Sequence, residues 1–129
     1  MASLNLQERM EEVLKAATRI GPDVIGSAIV SIEDGLPIAV SQLSSEAADD
    51  ISAMSITLFG TAEQLAEEVF PQIPLEQIFM KSKQGYIFLN AIDAETVLVL
   101  VTTDKVKIGM VFLEMRRHII PELSSIIAQ

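Results

Sequence analysis

The sequence predicts an α+β fold: a single five-stranded antiparallel sheet with helices on both faces, in the order helix, two strands, helix, three strands, helix. Three observations predict it. Residues 26–40, GSAIVSIEDGLPIAV, read as two strands joined at Asp34-Gly35, because an Asp-Gly pair between alternating apolar runs is a local hairpin signal. Val97 to Val101 is aliphatic at every position, so that strand is central and covered on both sides. Three further segments repeat apolar residues at helical spacing, and they bracket the two groups of strands.

Leu4 to Ile20 read as the first helix, with Leu6, Met10, Val13, Leu14, Ala17 and Ile20 in one apolar stripe. Asn5 followed by Glu8 fits a capping box, and Gly21-Pro22 supplies the stop. Val24 to Ile32 is apolar on both alternating faces and reads as an interior strand. Leu36 to Gln42 forms the second strand. Pro37 cannot donate to a ladder, which places that strand at a sheet edge.

Ser44-Ser45 can cap a long helix over about Glu46 to Val69, with Asp49 and Asp50 near its positive end. Ile51, Met54, Leu58, Ala62, Leu65 and Val69 make one stripe, with Ile56 and Phe59 off it and small residues filling much of the rest. Gly60 costs about 1 kcal/mol relative to alanine inside a helix, which suggests close approach of another group. Such a helix needs two neighbours: the sheet beneath and another helix beside it. One copy of the chain offers no second helix there, so the neighbour is expected to be the same helix of a second subunit.

Gln77 to Ser82, Tyr86 to Ile92 and Thr96 to Thr102 read as the remaining strands, turned at Lys83-Gln84-Gly85 and at Asp93-Ala94. A last helix begins near Lys107 or Ile108. Pro121 should clash with the Arg117 carbonyl, so a kink or break is expected near Ile120. The long middle helix should cover one face of the sheet and the terminal helices the other.

The 129 residues suit one domain over residues 1–129, able to bury roughly two-thirds of the surface of its unfolded chain without metal or disulfide. No cysteine is present, which removes thiolate metal sites and thiol catalysis. No segment reaches the roughly 18 apolar residues of a membrane span, and MASLNLQERMEE is too acidic for a signal peptide, so a soluble cytoplasmic protein is expected. Half of the residues are hydrophobic, more than a small monomer usually needs, and this also points to a second subunit. The net charge of −9 argues against nucleic acid. Between Arg19 and Lys81 there is no basic residue but ten acidic ones, a surface suited either to solubility or to steering a basic partner.

Catalytic chemistry finds little support. His118 is the sole histidine; a catalytic or metal-bound histidine needs partners, and one beside Arg116 and Arg117 on a helix reads as a surface or boundary residue. The adjacent carboxylate pairs Glu67-Glu68 and Asp49-Asp50 do not face the same way on a helix. The glycines make no phosphate-binding loop, and there is no esterase elbow. The expectation is therefore no enzyme activity, no metal and no cofactor.

The hairpin GSAIVSIEDGLPIAV and the stretch KSKQGYIFLNAIDAETVLVLVTTDKVKIGMVFLEMRR resemble the roadblock / dynein light chain family over nearly the whole length, with Gly109 at the start of the last helix. The resemblance implies a roadblock, profilin-like fold. It implies a homodimer, or a heterodimer with a related chain, joined edge to edge through the strand around Ile78, Phe79 and Met80. The long helices would then pack together through Ile51, Met54, Ser55, Leu58, Ala62 and Leu65. It also implies an adaptor or regulator that binds a Ras-like small GTPase and changes its nucleotide cycle or localisation. Glu63, Glu67 and Glu68 are the candidate partner contacts. Two other classes compete with this reading: a small-molecule sensor or purely structural dimerisation module, and an enzyme.

Overall fold

The computed structural model of the chain describes residues 4–17 and 21–128. Helix α1 spans Leu6–Ala16, followed by β1 (Val24–Ser31), β2 (Pro37–Ser41), α2 (Ser45–Val69), β3 (Gln77–Lys81), β4 (Gly85–Ala91) and β5 (Thr96–Thr103). The last helix has three parts: α3 (Ile108–Glu114), a π-helical turn (Met115–Ile119) and α4 (Ile120–Ile127). All pairs are antiparallel and the sheet order is β2-β1-β5-β4-β3. Thus β5 is central, β1 is interior, and Pro37 lies on an edge strand where its missing N–H leaves no gap in an interior ladder.

Alternation along the strands divides the core into two layers. Ile29, Phe88, Leu98 and Leu100 face the side covered by α1 and the last helix, where Met10, Leu14, Val111, Met115 and Leu123 are buried. Ala28, Val30, Leu89, Val97 and Val99 face the other side, where Phe59 is the large fully buried side chain of α2. The terminal helices and α2 therefore cover opposite faces, as their apolar stripes require.

The helix starts follow from side-chain caps. Asn5 Oδ1 accepts from the Glu8 N–H at 2.8 Å, and Ser44 Oγ accepts from the Ala47 N–H at 3.2 Å. Asn5 as N-cap puts Leu4 ahead of α1, so the helix begins two residues later than the apolar pattern suggests. The expected continuation to Ile20 lies outside the described residues.

The first hairpin forms with a wider turn than Asp34-Gly35 predicts. Gly35 has φ +70°, but Asp34 has no positive φ, so the two-residue turn with both centres in the left-handed region is not made. The cause is Ile32, whose N–H donates to the Glu95 carbonyl at 2.9 Å and draws the chain toward β5. Ser31 then closes the turn, donating to the Leu36 carbonyl at 3.0 Å, and Asp34 Oδ1 accepts from the Leu36 N–H at 3.0 Å. The β4–β5 turn is held by Asp93, whose Oδ1 accepts from Glu95 N, Thr96 N and Thr96 Oγ1 at 2.7–2.8 Å.

Gly85 opens β4 because a Cβ there would overlap the Thr102 carbonyl oxygen of β5. Gly85→Ala is expected to cost about 2 kcal/mol, since backbone must move to admit the methyl group. A lower urea midpoint at unchanged slope would show this. Gly60 behaves otherwise: nothing within 4 Å would meet its Cβ, so no close approach occurs there within one protomer.

The expected break near Ile120 is also replaced by something else. Ile119 and Ile120 keep right-handed helical dihedrals, and the Ile120 N–H donates to the Met115 carbonyl, five residues back. The widened π turn carries the Arg117 carbonyl out of the path of the Pro121 ring, so the helix passes the proline without breaking.

Candidate functional site

The two faces of α2 have different roles. Ala48, Ser52, Ser55 and Phe59 recur at three- or four-residue spacing and are buried against the sheet. The outer face carries Met54, Leu58, Leu65 and Val69, all exposed, with Leu65 at 67%. Thr57 and Thr61 bond back to the Ala53 and Thr57 carbonyls at 3.0 Å, which satisfies both hydroxyls within the helix. A shallow depression of about 430 Å³ lies over Ala53, Met54, Thr57, Leu58 and Thr61. An exposed apolar surface of this kind is a mark of interaction sites.

The predicted residues fall into three groups. Met54, Leu58 and Leu65 are exposed on the outer face, and Ile51 and Ala62 are half-buried at its margins. Ser55 is turned toward the sheet and only 7% exposed, so it leaves the outer set. On β3, Ile78 and Met80 pack half-buried on the α2 side, while Phe79 points to the other face. As β3 ends the sheet order, its outer backbone groups have no strand partner among the described residues, and they form a template for pairing.

Glu63, Glu67 and Glu68 line one groove of about 570 Å³ between the C-terminal half of α2 and the connection to β3, with Gly60, Ile73 and Leu75 among its walls. Glu67 also braces this wall from within. Its carboxylate accepts from the Gln72 N–H at 3.1 and 3.2 Å, holding a residue whose φ is +67°. Glu63 and Glu68 make no ion pair among the described residues, and α2 contains no Lys or Arg to offset them. Phe70 and Ile73, exposed at 60% and 63%, continue the apolar surface past the end of α2. Sequence periodicity misses both, because Phe70 lies just past the last turn of α2 and Ile73 lies between Pro71 and Pro74. The available signal is two large apolar residues with no periodic element to bury them.

Catalytic groups do not converge on this surface. His118 is exposed and its Nδ1 lies 3.1 Å from Glu114 Oε2. Among the described residues no group of three His, Cys, Asp or Glu could hold a metal ion, and no helix is long and apolar enough to cross a membrane.

A family model for the Roadblock/LC7 domain matches residues 10–102, from within α1 almost to the end of β5. The chain belongs to the Roadblock/LC7 family. An uncharacterized protein of Methanocaldococcus jannaschii, MJ0310, is 36% identical to this Roadblock/LC7 chain over 93 residues, which cover 71% of this chain and 78% of that protein. The Roadblock/LC7 domain from Streptomyces avermitilis superposes with a TM-score of 0.83 at 16% identity, covering 92% of this chain and 98% of its own. MglB from Myxococcus xanthus superposes with a TM-score of 0.84 at 14% identity, covering 99% and 93%. At such identities the two structures speak for the roadblock fold, which the sheet order and the helices on both faces display here.

Proposed function

We propose that this Roadblock/LC7 protein is a non-enzymatic, cytoplasmic homodimer that binds a Ras-like small GTPase and modulates its nucleotide cycle or localisation. The observation that supports this most is the outer face of α2. It is apolar and exposed, and β3 ends the sheet with its outer edge unpaired among the described residues, so a second copy would cover the first and pair with the second. Residues Met54, Leu58 and Leu65 would meet their counterparts across a two-fold axis, with Ile51 and Ala62 at the margin, and Ile78, Phe79 and Met80 would pair edge to edge. Ser55 is left to the core of its own protomer.

The GTPase is what membership of the roadblock family implies, and the acidic groove supports a partner with a basic surface. Glu63 and Glu68 would make the contacts, while Glu67 also supports the groove wall. No Arg lies on α2 to enter a GTPase active site, so any stimulation of hydrolysis would work by reorganising the GTPase itself. The sensing alternative needs an enclosed pocket with converging polar groups. Both faces of β5 are instead occupied by fully buried aliphatic side chains.

The test is a pull-down from lysate of the source organism with GDP or a non-hydrolysable GTP analogue, followed by mass spectrometry. The wild-type chain should enrich a small GTPase in one nucleotide state. Glu63→Lys with Glu68→Lys should reduce that recovery at least tenfold, because two attractive charges become repulsive. Recovery of the bait alone in both nucleotide states would defeat the GTPase reading.

A further inference from the structure

We propose that the face of β3 opposite α2, together with the last helix, is a docking strip for an acidic segment of a partner protein: one apolar side chain flanked by two carboxylates. The strip lies on the other side of the sheet from α2, and does not rest on the GTPase reading.

Gln77, Phe79 and Lys81 alternate onto one face of β3, opposite Asn90, Phe88 and Tyr86 of β4. Phe79 contacts the rings of Tyr86, Phe88 and Phe112 at centroid distances of 5.5, 5.2 and 5.6 Å. Four of the six aromatic residues in the chain therefore gather here, yet Phe79 stays 39% exposed. Beside it a cleft of about 590 Å³ opens between the strands and the last helix, with Glu76, Gln77, Phe112, Met115, Arg116 and Ile120 in its wall. The π turn forms part of this wall, and such turns are frequent at binding sites.

Charge selects the occupant. In a chain of net charge −9, Lys81 and Arg116 are exposed and make no ion pair among the described residues. An acidic segment is attracted here and repelled by the groove of Glu63 and Glu68. Gln77, whose Nε2 donates to Asn90 Oδ1 at 3.0 Å, keeps its amide oxygen as an acceptor for a ligand N–H. Lys81 is four positions beyond Gln77, which lines the cleft with Arg116, and so about 13 Å away along a strand. An extended ligand thus places carboxylates four residues apart, with its apolar residue over Phe79. Glu76 lines the same cleft as Arg116, so it disfavours any carboxylate beyond the one that Arg116 pairs.

The probe is a fluorescein-labelled peptide with Glu-Ala-Leu-Ala-Glu at its centre, titrated with the whole chain at low salt and followed by anisotropy. Saturable binding is expected, weakened at least tenfold by Arg116→Glu and likewise by Lys81→Glu. Both side chains are exposed, so these variants should melt like the wild type. Amide shifts in a nitrogen-proton spectrum should cluster in Gln77–Lys81 and Phe112–Ile120. The proposal is overturned by no saturation at about 1 mM, by equal affinity for the peptide with both Glu replaced by Lys, by indifference to both substitutions, or by shifts centred on α2.

Discussion

Leu58→Glu combined with Leu65→Glu is expected to turn a dimer into a monomer without unfolding it. Both side chains are exposed on the outer face of α2, so one protomer loses little when they change. Exposed substitutions of this kind usually stay within about 0.5 kcal/mol in stability. The assembly loses much more. Burying a leucine contributes about 1.5–3 kcal/mol, and a two-fold interface loses each contact from both sides. The introduced carboxylates would also face their own copies on a surface that is already acidic. The dimer dissociation constant should rise by more than about 1,000-fold. Light scattering on a sizing column would read this as a fall from twice the 14.1 kDa chain mass to that mass alone. A wild-type protein already at the monomer mass at micromolar concentration would sink the homodimer.

Phe59→Ala should do the opposite, damaging the protomer first. Phe59 is 2% exposed, and the other buried residues on its side of α2 are Ala48, Ser52 and Ser55. These small residues let the helix lie near the sheet but contribute little apolar area, so the phenyl ring is the main anchor of α2. Truncating it should cost about 4 kcal/mol, as transfer free energy plus the cavity left behind. Urea unfolding would measure the loss, and the variant should also dimerise less tightly, because α2 carries the outer face. A change below about 1 kcal/mol would show that α2 is held chiefly by the half-buried Ile51 and Ile56 instead.

The two faces of α2 also show where the sequence is legible and where it is not. The stripe through Met54, Leu58 and Leu65 is visible because large apolar residues dominate any periodicity. Its being the exposed face can be argued only from the absence of a second helix to cover it. The sheet-facing side is hard to see because serine and alanine carry almost no hydrophobic signal, and the expectation for Ser55 fails for that reason. Strand placement fares better: Pro37 lacks an N–H and the Val97–Val101 run is apolar at every position, and each of these facts admits few positions in a sheet. The turn after β1 departs from its local signal because its geometry depends on Ile32 bonding to Glu95, a contact between residues far apart in sequence. The acidic groove is half legible. Its glutamates can be counted along α2, but Phe70 and Ile73 join them only once the chain has folded back.

The π turn at Met115–Ile119 has a consequence for the length of the chain. A π turn takes one more residue around the helix axis than an α turn does, so it holds a spare residue. The helix beyond it stays in phase, with Leu123 and Ile126 still facing the core. Length and phase are therefore separable at this point. One residue could be removed from the turn, provided Pro121 gives way to an amino acid with an N–H, and the segment beyond would keep its inward face. A single-residue deletion elsewhere in the same helix would rotate that segment by about 100° and expose it.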